Sequence, residues 1–334
     1  MADQRVPVLA EHLRDDAPRA FRVAAAQVGG PWLDRKARLA TVIAYSEAAA
    51  AEGAAMIAFP ETYLSGYPFW IPRTDGARFD DARQKDCYAY YLDSAIEVPG
   101  PEVAELCTLA AELAITIVIG VTERGADSGR GSTYCTLLTV DPVRGVVGHH
   151  RKLVPTYDER LVWAYGDGAG LRVHAVGAAR IGALNCWENW MPSARHALYA
   201  GGQDVHVGVW PGSTQLTTDI TRFTALEGRV FVVAVSGVLR AEDVPDDFPL
   251  AAELRTNTPP IAFDGGSAIA GPDGQWLIPP VADEEGLLLA DLDLAAVARA
   301  RLTFDPTGHY ARPDVFTNTV DRSRRSPVGF VDER

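Results

Sequence analysis

Residues 180–202 read R-I-G-A-L-N-C-W-E-N-W-M-P-S-A-R-H-A-L-Y-A-G-G. Ile181 to Asn185 is short and apolar, as is typical of a strand, and the segment from Pro192 to Ala200 is predicted to be a helix. Cys186 is therefore predicted to lie on the turn where the chain leaves a strand and enters a helix. Unpaired N–H groups and the helix dipole at such a junction predict a thiol that faces a cleft and ionises easily. Because a free cysteine often simply packs in the interior, position alone leaves a structural role open.

Outward from this stretch, the same alternation of strand and helix runs along the chain and predicts an α/β fold. The predicted strands and helices are 21–27, 34–53, 55–59, 83–96, 101–114, 115–121, 205–210, 215–229, 230–239, 287–292 and 294–302. Hairpins at 132–149 and 261–277 indicate that the sheets are mixed. The acidic segment 241–260 has no periodicity and is predicted to be a surface loop. We predict a single domain at 21–320, between an N-terminal extension (1–20) and a C-terminal tail (321–334).

Composition narrows the classes of partner. The 334-residue chain has a net charge of -13, and 47% of its residues are hydrophobic. Nucleic acids and anionic membranes need basic patches, so we expect neither as a partner. The first twenty residues lack the apolar core of a signal peptide, and no window has the apolar length of a membrane span. The four cysteines show neither a disulfide pattern nor a zinc spacing, and we predict a cytoplasmic protein.

Several polar residues follow predicted strands, where α/β proteins place functional side chains. Glu61 follows the strand at 55–59, and Lys152 follows the hairpin, with Glu159 seven positions later. Each alone is more often a solvated charge. His149 and His150 are a weaker alternative as a partner for Cys186, because neighbours in a strand face opposite sides and no third group is evident to orient either ring. Phosphate-binding loops and the H-E-x-x-H zinc motif are missing from the sequence.

Three blocks of sequence resemble the signature blocks of the carbon–nitrogen hydrolase superfamily. They are P-E-T-Y-L-S-G-Y-P (60–68), R-K-L-V-P-T-Y-D-E-R (151–160) and N-C-W-E-N-W-M-P (185–192), and the last resembles the nitrilase branch. Three blocks in the right order are far more specific than any one. The resemblance implies a four-layer α-β-β-α sandwich with two mixed sheets. It also implies dimers or longer spiral homo-oligomers, and we predict that the helix after Cys186 and the tail from His309 form the interface. We expect no metal or organic cofactor, since the cysteine would do the covalent work.

The resemblance also assigns roles to individual residues. Its catalytic glutamate, lysine and cysteine fall on Glu61, Lys152 and Cys186, and its second glutamate falls on Glu159. Glu61 is expected to take the thiol proton, so that the sulfur attacks a nitrile carbon. Lys152, with the backbone N–H of Trp187, is expected to stabilise the developing charge, while Glu159 orients Lys152. Ammonia then leaves, and water hydrolyses the thioester to a carboxylic acid.

The substrate is predicted from the residues around these blocks. Trp187-Glu188-Asn189 after the cysteine favours a nitrile over an amide, by the same resemblance. Aromatic residues predict a pocket for an aryl or arylalkyl nitrile, and we expect Tyr67, Trp163, Trp187 and Trp210 to contact it. Three alternatives remain: a cyanide hydratase or dihydratase, an aliphatic amidase, and a catalytically silent scaffold or binding module.

Overall fold

A computed structural model describes residues 5–14, 20–125, 129–324 and 328 of the chain. Their strands are β1 (Val8–His12), β2 (Ala20–Gln27), β3 (Met56–Ala58), β4 (Ile96–Glu97), β5 (Thr116–Arg124), β6 (Thr133–Asp141), β7 (Gly145–Arg151), β8 (His174–Val176), β9 (Ala179–Asn185), β10 (Val205–Trp210), β11 (Phe231–Ser236), β12 (Val238–Arg240), β13 (Ile261–Ala270), β14 (Trp276–Ala282) and β15 (Gly286–Asp293). Their α-helices are α1 (Arg35–Ala51), α2 (Ala82–Ser94), α3 (Pro101–Leu113), α4 (Pro192–Ala200), α5 (Thr214–Gly228), α6 (Ala251–Thr256) and α7 (Ala295–Arg301). Most of these elements follow the predicted alternation, but the sequence did not predict β1, β4, β8 or α6.

The strands form two mixed sheets. The first sheet has the order β1-β15-β2-β3-β5-β6-β7, with β4 beside β5, and its centre from β2 to β5 is parallel. The second has the order β12-β13-β11-β10-β9-β8, with β14 beside β13, and β9, β10 and β11 run parallel. Both predicted hairpins are present as antiparallel pairs, β6 with β7 and β13 with β14. The prediction of an α/β fold with mixed sheets is therefore confirmed.

Alternating side chains along the strands create the layers. In β2, Ala24 and Ala26 face a core that they share with α1 and α3, whereas Val23 and Ala25 face a second core that includes Val207 of β10. One face of the first sheet thus packs on helices and the other on the second sheet, since neighbouring residues of a strand point to opposite sides. Helix α5 packs on the outer face of the second sheet. The result is the single-domain α-β-β-α sandwich that the resemblance implies.

Helix α1 shows how local sequence sets an element. The side chain of Asp34 accepts a hydrogen bond from the N–H of Ala37 at 2.9 Å, which caps the first turn as predicted. Leu39 and Val42 lie three positions apart and are both buried on the face toward the sheet. The helix ends at Ala51, close to the predicted stop at Gly53.

The prediction of a surface loop at 241–260 is wrong. The segment contains α6, and Val244, Phe248 and Leu254 are buried in an aromatic cluster. The ring of Phe248 lies 4.9 Å from that of Trp32. Six helical residues are too few to show a helical period in the sequence, and the cluster depends on aromatic residues far away in the chain.

The single strand predicted at 230–239 is instead two strands, β11 and β12, separated at Gly237. A Cβ atom at Gly237 would lie 2.7 Å from the carbonyl oxygen of Pro211, so the backbone approaches a neighbouring loop too closely for a side chain.

Val8–His12, within the predicted N-terminal extension, pairs in parallel with β15. Residues 1–4 and 15–19, and most of the predicted tail after residue 324, lie outside the described residues. Within the described part of the chain, no helix has both the length and the apolar character needed to cross a bilayer.

Candidate active site

Glu61 lies directly after β3, between the two sheets. Its N–H donates to the carbonyl oxygen of Trp210 at the end of β10, a bond of 3.2 Å. The approach of this loop to β5 requires a glycine, because a Cβ atom at Gly120 would lie 2.3 Å from the nitrogen of Thr62. The backbone that carries the buried Glu61 side chain therefore contacts both sheets.

Lys152 follows β7, and its side chain is completely buried. Its ammonium donates to Oε1 of Glu61 at 2.9 Å and to Oε2 of Glu159 at 2.7 Å. The ammonium also lies 5.4 Å from the ring centroid of Trp163, at a distance that permits a cation–π interaction. Two carboxylates and an aromatic ring thus compensate the buried positive charge.

Glu159 is held by its own turn of 3₁₀-helix, residues 157–161. Oε2 accepts the N–H of Thr156 at 2.6 Å, and Oε1 accepts the hydroxyl of Tyr67 at 2.9 Å. These bonds leave the Glu159 carboxylate little freedom. It can therefore orient the ammonium of Lys152.

Cys186 begins a 3₁₀ turn, Cys186–Trp190, and its backbone φ of 46° is in the left-handed region that non-glycine residues rarely adopt. One oxygen of Glu61, one of Glu159 and the sulfur of Cys186 all lie within 4.8 Å of one another. The structure therefore brings Glu61, Lys152, Glu159 and Cys186 together, although they come from different loops. Non-glycine residues with strained backbone often occur at functional sites.

The prediction that Cys186 ionises easily in an open position is wrong for the free protein. The residue is only 2% exposed, and α4 begins six residues later at Pro192. Burial, followed by the negative charge of Glu61, raises the pKa of the Cys186 thiol well above its ordinary value, although Lys152 and the N–H of Trp187 act in the opposite direction. The resting cysteine is therefore a neutral thiol that needs a base.

Glu61 has the properties of that base. Burial raises the pKa of Glu61 to about 7, even though the charge of Lys152 opposes the rise. Burial alone would lower the pKa of Lys152, but the charges of Glu61, Cys186 and Glu159 raise it well above its usual range. A carboxylate with a pKa near neutrality beside a permanent cation can accept a proton and return it.

Glu61, Glu159 and Cys186 each offer one ligand atom, and these three atoms lie close enough together to contact a single metal ion. The ammonium of Lys152, however, already bonds both carboxylates and would repel a second cation. The chemistry of this donor set fits a proton-transfer centre better than a metal.

The four residues predicted to contact substrate occupy different environments. Tyr67 is half-buried beside the cluster, and Trp187 is 46% exposed with its ring 6.3 Å from that of Trp190. Trp163 is buried, and its indole N–H donates to the hydroxyl of Tyr91. Trp210 is buried in an apolar cluster with Cys186. Trp187 is therefore exposed and Tyr67 partly exposed, whereas Trp163 and Trp210 are buried and pack against the residues of the cluster.

The sequence did not reveal several contacts at and around the site. The thiol of Cys135 on β6 donates to Oε1 of Glu61 at 3.3 Å, and no motif marks this cysteine. Glu188 bonds His150 and the N–H of Asn185. The spacing of Asn185 and Glu188 is that of a capping box, a signal that could have revealed this contact. The expectation that no third group orients the histidines is also wrong, since His149 bonds Glu123 and His150 bonds Glu188.

Comparisons with known proteins agree with the geometry. The family described as Carbon-nitrogen hydrolase matches residues 22–302. Nitrilase 2 of Arabidopsis thaliana is 37% identical over 288 residues, 85% of this chain and 84% of that protein. An aliphatic nitrilase of Rhodococcus rhodochrous is 34% identical, covering 92% of this chain and 84% of its own length. A bifunctional nitrilase/nitrile hydratase of Oryza sativa subsp. japonica is 36% identical, covering 95% of this chain and 88% of its own length.

Solved structures show the same fold. A mutant of the Nesterenkonia AN1 amidase from the nitrilase superfamily superposes with a TM-score of 0.62 at 21% identity, covering 86% of this chain and 97% of that one. A second match is XC1258 of Xanthomonas campestris, a CN-hydrolase superfamily protein with an arsenic adduct in its active site. It has a TM-score of 0.64 at 20% identity, covering 86% of this chain and 96% of that one. At this level of identity, the likeness is one of fold.

Proposed function

This chain belongs to the carbon–nitrogen hydrolase family, and nitrilases of Arabidopsis thaliana and Rhodococcus rhodochrous are among its relatives. From this premise we propose that it converts an organic nitrile into a carboxylic acid and ammonia. The observation that carries the proposal is the contact of Lys152 with Glu61 and Glu159 beside the sulfur of Cys186. A base, a cation and a nucleophile at this spacing meet the requirements of covalent catalysis by a thiol.

In the first half of the reaction, Glu61 accepts the proton of the Cys186 thiol, and the sulfur attacks the nitrile carbon. The proton passes to the nitrile nitrogen, which gives a thioimidate. Lys152 and the N–H of Trp187 stabilise negative charge as the carbon–sulfur bond forms. Because burial raises the pKa of the Cys186 thiol, attack requires that Glu61 take the proton.

In the second half, a water molecule adds to the thioimidate, with Glu61 as its base. Collapse of the adduct releases ammonia and leaves a thioester on Cys186. A second water then releases the carboxylic acid and restores the thiol, so that one nitrile and two waters give one acid and one ammonia. Collapse with loss of the sulfur instead of ammonia would give an amide, and the rice relative carries both activities in its name.

We propose an aryl or arylalkyl nitrile as substrate. The support is the aromatic surface beside the cluster: the ring of Tyr67 lies 5.6 Å from each of the rings of Trp163 and Phe263, and Trp187 is exposed next to the nucleophile. The Rhodococcus relative, by contrast, is named for aliphatic nitriles. Cyanide and amides remain the alternative substrates. The homo-oligomeric assembly and the cytoplasmic location stay predictions.

The test compares the wild-type protein with C186A on benzonitrile, phenylacetonitrile, an aliphatic nitrile, cyanide and benzamide. Ammonia, acid and amide are each quantified, and intact-mass spectrometry with a slow nitrile detects a covalent adduct. We expect turnover of the aryl nitriles, an adduct on Cys186, and a loss on the order of 10⁶-fold in C186A.

The control is C107A, because Cys107 is a half-buried thiol on α3, packed beside the core shared with α1. C107A should keep wild-type turnover. Undiminished turnover by C186A would refute the covalent mechanism, and preference for cyanide or benzamide would replace the proposed substrate with one of the alternatives.

A further inference from the structure

The nucleophile and the ammonium of the cluster are carried by different sheets. Lys152 follows β7 of the first sheet, and Cys186 follows β9 of the second. Their separation therefore depends on contacts that fix one sheet edge relative to the other. Interactions between the apolar faces of two sheets are not directional, so hydrogen bonds are needed to set such a distance to a fraction of an ångström.

Glu188 makes hydrogen bonds of this kind to both edges. Its Oε2 accepts the N–H of Asn185, the residue before the nucleophile, at 3.1 Å. Its Oε1 accepts the N–H of Leu153, the residue after Lys152, at 2.5 Å. His150 of β7 adds a third donor, with Nε2 3.0 Å from Oε2. One side chain thus joins the backbone next to Lys152 to the backbone next to Cys186.

The chemistry of these contacts requires a carboxylate. Each oxygen of Glu188 faces a backbone N–H, and a glutamine has only one acceptor oxygen, so its amide group would meet one of those donors with another donor. Burial works to raise the pKa of Glu188, but His150 and the two N–H groups lower it, so the side chain is charged. Asn189, in the same turn, donates to the carbonyl oxygen of Cys186 at 2.8 Å and bonds His206 of β10, which belongs to the same sheet as β9, whereas Glu188 reaches the other sheet.

We propose that Glu188 is a positioning residue that sets the distance between the Cys186 sulfur and the Lys152 ammonium by tying the two sheet edges together. The inference rests on the proposed function, in which these two groups act on one substrate. Displacement of a catalytic group by about 1 Å costs on the order of 100-fold in rate. A weakened tie should therefore reduce kcat while leaving substrate binding nearly unchanged.

The experiment compares E188Q with wild type in three measurements: kcat and KM on the best nitrile, Tm, and the rate at which iodoacetamide alkylates Cys186, mapped by peptide mass spectrometry. We expect kcat to fall on the order of 100-fold with KM changed less than about threefold. Alkylation should slow as well. Burial raises the pKa of Cys186 and the charge of Lys152 opposes it, so moving the lysine away leaves less thiolate.

The matched control is D291N on β15. Asp291 is also a buried carboxylate that bonds a backbone N–H, that of Arg14, and both of its oxygens accept from Arg22. It lies outside the cluster, so D291N should lower Tm while kcat and the alkylation rate of Cys186 stay at wild-type values. This control separates loss of stability from loss of position.

E188Q that loses Tm but keeps kcat and alkylation within about threefold of wild type overturns the proposal. Should E188Q fail to fold, E188D decides, because it keeps the charge and the bond within its own turn but is one methylene too short to hold Leu153 as well. Wild-type kcat in E188D also overturns the proposal. Alkylation needs no nitrile, so it tests Glu188 even if nitrile turnover, and with it the proposed function, fails.

Discussion

Glu61 and Glu123 are both buried carboxylates beside the hairpin of β6 and β7. Glu61 contacts Lys152, which follows β7, and Glu123 contacts Arg151, the last residue of β7. Cys135 and Thr136 are consecutive in β6, and the first donates to Glu61 while the second donates to Glu123. The two carboxylates thus use alternate side chains of one hairpin, on opposite sides of the sheet.

The pKa values of the two carboxylates are nevertheless shifted in opposite directions. Burial works to raise the pKa of Glu123, but hydrogen bonds and charge from His149 and Arg151 lower it to about 2. Burial dominates at Glu61 and raises its pKa to about 7. The cause is the number of donors: both oxygens of Glu123 accept hydrogen bonds, whereas in the described residues Oε2 of Glu61 has no partner. A fully bonded carboxylate stabilises the fold, and a partly bonded one remains free to exchange protons.

The comparison predicts its largest effect at Glu61. The substitution E61Q replaces the carboxylate with an amide that cannot act as a base, and we expect kcat/KM for the nitrile to fall on the order of 10²- to 10⁴-fold. Ammonia release measures the loss, and Tm shows whether the fold persists. E61Q with more than a tenth of wild-type kcat/KM would mean that another group is the base.

The next effect concerns stability at Glu123. The unfolded-state pKa of a glutamate is about 4.3, so a folded value near 2 corresponds to about 3 kcal/mol of stabilisation at neutral pH. This contribution is present above pH about 4.5 and is lost as the pH falls toward 2. Urea unfolding of E123Q should therefore show a deficit of about 3 kcal/mol at pH 7 that shrinks below pH about 4, with kcat changed less than about threefold. A deficit that is the same at pH 7 and below pH about 4 would contradict the assignment of this stability to the lowered pKa of Glu123.

The smallest effect is expected from C135A, which removes one of the two side chains that donate a hydrogen bond to Glu61. In the wild type, kcat/KM should fall about tenfold per pH unit as the pH drops below about 7 and Glu61 becomes protonated. The Cys135 thiol stabilises the charged carboxylate, so C135A should raise the pKa of Glu61 and move this acid limb to higher pH by less than about one unit. C135S retains a donor and serves as the control. Identical limbs in C135A and wild type would show that the contact has no influence.

Much of the architecture could be predicted from the sequence, because its determinants are local. Asp34 caps the helix that follows it, and the apolar spacing of Leu39 and Val42 marks the buried face of that helix. Segment 241–260 could not be predicted in this way. The burial of Phe248 depends on Trp32 and Trp70, which are distant in sequence.

The sequence by itself determined most of the order of strands and helices, the family, and the three blocks that point to Glu61, Lys152 and Cys186. Only the tertiary structure decided the proton affinities at the site, where burial reverses the expectation of an easily ionised Cys186. It also decided that Cys135 and Glu188 contact the catalytic segments. The physical reason is that a pKa depends on desolvation and on neighbouring charges, and here both come from chain segments that meet only when the two sheets pack together.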